Sequence, residues 1–385
     1  MKLTELNTVE ERINFLEKTV RPFKNRAEKY DKPAKFPFEN IEELRAVGYP
    51  ELTIPEAFGG TGISLTEMVK HQETIGKADG STSLAIGWHM GLTKHIGENS
   101  IWKKEKYEEF VQAIKDQGAL FNNAATEPAT GSPTRGGKPE TIAKETEHGW
   151  VINGRKTFTT MAPILDYVGV SATIDGTDQV GSFLIKTELD GVQVEETWDS
   201  ISMRATGSHD LILDHVHVAS DDLLEYLTPG NKKPAGWLLH IPACYLGIAK
   251  AAQEEALQFA TTYSPNSIKG TISELPNVQQ KLGEIQLLLM EAEHFLYRTA
   301  HKWDRSDENV RATMGPELGA AKLSVVNKAN DIVDLAMRVV GARSLSEKNP
   351  LQRYYRDVRA GLHNPPMDDM TIINLAKKSI TDFEN

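Results

Sequence analysis

The stretch ETIAKETEHGWVINGRKTFTT, residues 140–160, decides the fold: its apolar and β-branched residues alternate with polar ones at a period of two. That period marks half-buried β-strands. Asn153-Gly154 supplies a dipeptide that adopts positive φ easily, so a hairpin turn is expected there. The same alternation recurs in YVGVSATI (167–174), VGSFLIKTE (180–188), VQVEETWD (192–199) and DLILDHVHV (210–218). Residues 119–222 therefore read as a β domain.

On the N-terminal side the period lengthens to three and four. VEERINFLEKTVRPF (9–23), IEELRAVG (41–48), LTEMVKHQETIGKA (65–78), STSLAIGWHMGLTKHIG (81–97) and WKKEKYEEFVQAIK (102–115) read as helices, and the Pro/Gly-punctuated ELTIPEAFGGTGIS (51–64) as a loop. From about Leu223 the helical period returns. YLGIAKAAQEEALQFATTY (245–263), residues 275–303 and 315–341, and MTIINLAKKSI (370–380) have the lengths of bundle helices, with Gly341 as a C-cap. The expected organisation is an α-helical domain (1–118), a β domain (119–222) and a helical bundle (223–385), a mostly α fold with a central β domain.

Composition narrows the function. Of 385 residues, 39 % are apolar and 25 % charged, which suits a large globular core. Lys and Arg (43) against Asp and Glu (54) leave a net charge of −11, and no basic run exceeds a pair, which argues against nucleic acid and anionic membranes as partners. The single cysteine, Cys244 in an apolar stretch, excludes an internal disulfide or a multi-Cys zinc site. The charged, amphipathic N-terminus carries no apolar core for a signal peptide, and no segment is long and apolar enough for a membrane span, so a cytoplasmic location is expected.

Two glycine-rich stretches fail as nucleotide motifs. AFGGTGIS follows no strand and lacks the dinucleotide spacing; GSPTRGGKP (131–139) has Pro139 where a P-loop needs Ser or Thr. His215 and His217 share a strand face with Asp214, too few ligands for zinc, and read as a solvent-facing surface.

What remains is a set of segments in order: TEPATGS (126–132), NGRKTFTT (153–160), MRATGSHDLILDHVHV (203–218), YLGIAKAAQEEALQFA (245–260) and NPLQRYYRDVR (349–359). Together they resemble the acyl-CoA dehydrogenase superfamily over essentially the whole chain. The resemblance implies an N-terminal helical domain, a small β-barrel and a four-helix bundle, assembled as a homotetramer. It also implies a flavin, FAD or FMN, between the β domain and the bundle. Carried over by position, it puts Thr126 and Ser132 on the flavin, Phe158 and Thr160 at the isoalloxazine ring, and Gly341 at the pyrophosphate turn.

The resemblance has gaps. The family's carboxylate base, shortly after the RYYRD segment, falls on Asn364 or Pro365; its other known location falls on Trp237. Asp368 and Asp369 are the nearest carboxylates. The FAD-contacting Arg before the second bundle helix is missing, and GARSL (341–345) keeps only the first glycine of the phosphate turn. These departures resemble the superfamily's two-component flavin monooxygenases, such as dibenzothiophene monooxygenase. That branch carries a His after an A-D-G-S segment, a hydroxyl after K-x-F and a His before the last helix. Here ADGSTSLAIGWH offers His89, KTFTT offers Thr160 and LHNP offers His363. Oxygen chemistry at reduced flavin needs a proton donor in a dry pocket, and imidazole exchanges protons near neutral pH.

Three functions stay open. A monooxygenase would take reduced flavin from a reductase and oxygenate a small organic substrate, sulfur-containing among others, with His89, Thr160 and His363 as catalytic residues; the residues favour it. An acyl-CoA dehydrogenase would use Asp368 or Asp369 as base and pass electrons to an electron-transfer flavoprotein. A non-catalytic member would keep only the fold. Arg204, Arg353, Arg356 and Asp357 read as ion-pair partners between domains or subunits.

Overall fold

The computed structural model describes residues 1–130, 137–227 and 233–384. Helix α1 (Val9–Asp31) opens with a capping box, Thr8 Oγ1 accepting the Glu11 N–H at 3.2 Å and Glu11 reaching back to the Thr8 N–H. It is followed by α2 (Phe38–Ala46), α3 (Leu65–Ala78), α4 (Gly80–Asn99) and α5 (Lys104–Gln117). The ADGS segment caps α4: the Asp79 carboxylate accepts the Thr82 N–H at 3.1 Å.

The β domain holds β1 (Phe121–Ala124), β2 (Ile142–Thr146), β3 (Gly149–Thr159), β4 (Tyr167–Ile174), β5 (Val180–Lys186), β6 (Val192–Glu195), β7 (His209–Val218) and β8 (Leu223–Leu227). Their order in the sheet is β6-β7-β3-β2-β4-β5-β8, with β1 parallel to β4 beyond the end of β2. The bundle consists of α6 (His240–Thr262), α7 (Pro276–Arg305), α8 (Glu308–Thr313), α9 (Gly315–Val340), α10 (Pro350–Ala360) and α11 (Asp368–Glu384), with Gly341 capping α9 at φ +70°.

Two expectations are corrected. The β2–β3 hairpin turns at Glu147-His148, not at Asn153-Gly154, which lie inside β3 beside a register shift. Gly149 makes that turn possible: it sits at φ +132°, and the Val218 carbonyl oxygen lies 2.1 Å from where a Cβ would stand. Leu223–Leu227, read as the start of helix, is instead strand β8, paired antiparallel with Val180–Phe183 of β5.

The N-terminal helices and the bundle share one core. Helices α3 and α6 cross at Gly76 and Gly247, where a Cβ would come within 2.5 Å of the Cys244 carbonyl oxygen and 2.3 Å of the Glu73 carbonyl oxygen. On α11, Met370, Ile372, Ile373, Ile380 and Phe383 are exposed, an apolar row with nothing over it in the single chain. Among the described residues, no helix is long and apolar enough to cross a membrane, and no cluster of His, Cys, Asp and Glu could hold a metal.

Candidate flavin site on the β domain

The loop after β1 is fastened to β3 by two devices. The Thr126 carbonyl accepts the Thr157 N–H at 2.9 Å, and Glu127, buried, accepts Lys156 Nζ at 2.5 Å and Thr141 Oγ1 at 2.6 Å. Lys156 is buried as well and gives a second hydrogen bond to the Ser171 carbonyl at 2.6 Å. Burial alone would push the Glu127 carboxyl up; the bonds from Lys156 and Thr141 outweigh it and hold it below its usual range. The loop bearing Thr126 is thus anchored through a desolvated ion pair.

Beyond Lys156, β3 slips register before Thr159, and Phe158 adopts φ +57°. That bulge turns its ring outward: Phe158 is 64 % exposed and meets Trp198 edge-on at 5.9 Å. Thr160, just past the strand, is buried. Its carbonyl accepts Asn122 Nδ2 at 3.0 Å and its hydroxyl lies 2.9 Å from Ser208 Oγ. Ser208 Oγ is 2.8 Å from Thr206 Oγ1, which donates to the Met203 carbonyl at 3.0 Å. Sequence reasoning missed Ser208, Thr206, Glu127 and Lys156. Thr206 and Ser208 lie in the loop that leads into β7, where no strand period groups them.

His89 departs from the expected catalytic role. It is fully buried on α4, its Nδ1 accepts the Phe121 N–H at 3.1 Å, and its Nε2 lies 3.2 Å from the Pro50 carbonyl. Since an amide can only donate and a carbonyl only accept, the ring is the neutral Nε2–H tautomer with no nitrogen left for a ligand. Burial pushes its pKa down to about 4. Through Phe121 it fixes β1, whose next residue, Asn122, holds Thr160.

His363 is exposed in a 3-10 turn after α10. Beside it the buried Tyr245 hydroxyl donates to Asn364 Oδ1 at 2.6 Å. No described hydrogen bond or ring contact joins His89, Thr160 and His363 to one another. Trp237 is wedged between Trp88, edge-on at 5.9 Å, and His240, stacked at 5.9 Å. Asp368 accepts Lys322 Nζ and Asn327 Nδ2, each at 3.1 Å, while Asp369 is exposed. Gly341 is exposed with open space around it, and Ser132 lies outside the described residues.

The arginines tie domains together. Arg356 Nη2 meets Asp31 at 2.5 Å, Arg204 Nε donates to the Asp31 carbonyl at 2.8 Å, and Asp357 accepts the Met203 N–H at 2.7 Å. Burial, with the Asp31 charge nearby, pushes the Asp357 carboxyl up to about 7. The 200–208 loop, which carries the end of the hydroxyl chain, is therefore held from both helical domains.

Three acyl-CoA dehydrogenase domain models match, the N-terminal domain at residues 5–120, the middle domain at 122–216 and the C-terminal domain at 239–364. The chain is 50 % identical over 358 residues to YdbM of Bacillus subtilis (strain 168), an acyl-CoA dehydrogenase by name, covering 93 % of each chain. The chain belongs to the acyl-CoA dehydrogenase family. As a member it is a flavin-dependent oxidoreductase with that family's three-part fold. A 3-(aryl)acrylate reductase of Clostridium sporogenes (strain ATCC 15579) is 29 % identical, over 90 % of each chain. Among solved structures, the dibenzothiophene monooxygenase TdsC from Paenibacillus sp. A11-2, with FMN and indole, superposes with a TM-score of 0.85, at 24 % identity and 96 % coverage of each chain. Butyryl-CoA dehydrogenase from Megasphaera elsdenii gives 0.83, at 19 % identity, with 97 % of this chain and 99 % of that one covered. Both branches thus share this acyl-CoA dehydrogenase architecture, and side-chain chemistry has to separate them.

Proposed function

We propose that this chain is a cytoplasmic, homotetrameric flavin monooxygenase. It accepts reduced FMN or FAD from a partner reductase and directs oxygen onto a small organic substrate, sulfur-containing compounds being one class. One observation carries the reading: both positions of the family's base hold neutral side chains that are already engaged. Asn364 takes the Tyr245 hydroxyl, and Trp237 is fixed in an aromatic stack. An acyl-CoA α-proton has no carboxylate to receive it at either place.

The residues present fit a flavin ring. The exposed Phe158 face offers apolar surface for a flat heterocycle, and Thr160 offers a hydroxyl whose position is set by Ser208 and Asn122. Thr126 and Thr160 would hold the ring's polar edge, Ser132 and Gly341 the phosphate end. The flavin, once bound and reduced, supplies the electrons for oxygen chemistry. His363 is the imidazole left to exchange a proton with the reacting group, and His89 shapes the β-domain wall instead. The apolar row on α11 is the surface a second copy would cover in the tetramer.

The name of YdbM favours a second reading, an acyl-CoA oxidoreductase paired with an electron-transfer flavoprotein. Asp368 would be its first candidate base, but its two oxygens are occupied by Lys322 and Asn327. The test is anaerobic addition of short acyl-CoAs to the flavin-loaded enzyme. The proposal expects the flavin spectrum to stay oxidised, whereas O₂ uptake with reduced FMN yields oxygenated product from a panel of sulfides and heteroaromatics. Bleaching by any acyl-CoA overturns it and sends the search for a base to Asp368 and Asp369.

A further inference from the structure

A hydroxyl group owns one hydrogen, so a chain of hydroxyls that ends on a carbonyl has a fixed direction. The Met203 carbonyl can only accept, and Thr206 gives it its hydrogen at 3.0 Å. Ser208 must then donate to Thr206 across 2.8 Å, and Thr160 must donate to Ser208 across 2.9 Å. All three side chains are buried, and among the described residues no other hydrogen bond reaches their hydroxyls. The terminus is rigid too: Met203 is held at φ +51° with its N–H on Asp357, and its carbonyl also receives Trp198 Nε1 at 3.1 Å.

We propose that Ser208 and Thr206 hold the Thr160 hydroxyl as an acceptor, so that the site prefers reduced to oxidised flavin. The inference rests on the reading above that the flavin ring lies against Thr160. Of the ring positions a hydroxyl can address, N5 changes character with redox state. It presents a lone pair when oxidised and an N–H when reduced. An oxygen that has spent its hydrogen elsewhere accepts from the N–H and faces the lone pair without a bond. Ser208 and Thr206 are positioning residues: they act through Thr160. The preference suits an enzyme that collects its flavin already reduced.

The experiment measures Kd for oxidised and dithionite-reduced FMN and FAD, anaerobically, with the full chain, together with the midpoint potential of the bound flavin. Wild type is expected to bind the reduced form more tightly. Thr206→Val removes the acceptor for Ser208 without changing shape, letting both upstream hydroxyls reverse and Thr160 donate to oxidised N5. It should lower the oxidised-to-reduced Kd ratio about tenfold, a downward shift of about 30 mV for a two-electron couple. Ser208→Ala should do the same, and Ser208→Thr should keep the wild-type ratio. A wild-type preference for oxidised flavin overturns the inference. So does an unchanged ratio in Thr206→Val and Ser208→Ala when Thr160→Val does alter it. If Thr160→Val alters neither affinity, the ring is not at Thr160 and the parent reading fails with it.

Discussion

The β-domain wall and the α10–α11 junction are built in opposite ways. Around β3 a set of buried polar groups answer one another: Glu127 is met by Lys156 and Thr141, Thr160 by Asn122 and Ser208, Ser208 by Thr206. At the junction, Asn364 is half-buried on a single hydrogen bond and His363 faces solvent. On the proposed reading, the first wall carries the hydroxyls that would hold a flavin, and the second offers an amide and an imidazole where the resemblance expects an acid. On that reading many contacts fix the wall that would hold the flavin, and the reaction rests on a few that are cheap to change.

The strongest way to break that contrast is to open the β-domain wall. Lys156→Met leaves the Glu127 carboxylate buried without its cation and is expected to cost about 3–5 kcal/mol, read by urea denaturation, with loss of flavin binding. His89→Ala removes the partner of both the Phe121 N–H and the Pro50 carbonyl. It is expected to cost roughly 2–4 kcal/mol and to loosen the Thr160 wall through β1. A cost below 1 kcal/mol would contradict a structural role.

Acid titration sharpens the comparison. Burial pushes His71 and His240 down to about 3 and His89 to about 4. The unfolded chain binds those protons first, so their contribution is full above about pH 6.5 and lost as pH falls through the folded values. For His89 alone this is on the order of 3 kcal/mol. Asp357, pushed up to about 7, has the opposite sign: its contribution is full below its unfolded pKa and lost as pH rises through 7. Thermal melts across pH 4–8 should show Asp357→Asn stabilised relative to wild type at the alkaline end and the difference vanishing at the acid end. The smallest effect is expected at the junction. Tyr245→Phe loses one hydrogen bond, about 1 kcal/mol, and leaves oxidised-flavin affinity unchanged.

The helices and most strands were legible because their periods run over many residues. The two misreadings have physical causes. Asn153-Gly154 has strong local turn chemistry, but pairing Ala143 with Ile152 buries both, and a shifted register would turn those side chains to solvent. Leu223–Leu227 is a short apolar run whose period cannot separate strand from helix, and pairing with β5 decides it. In the candidate site, the resemblance points to Thr160 and Phe158 by position alone. The Thr160 partner Ser208 was not legible, since β3 and β7 are brought together only by the sheet, and the burial of His89 depends on contacts from Pro50 and Phe121 that are distant in sequence.

The most direct test mixes the protein loaded with reduced FMN against O₂ in a stopped-flow cell and follows O₂ loss and the return of oxidised-flavin absorbance together. An oxygenase that controls its flavin should show oxidised flavin returning well after O₂ has been consumed, with His363→Ala shortening the delay. Oxidised flavin appearing in step with O₂ loss, at the rate of free flavin, would contradict the account.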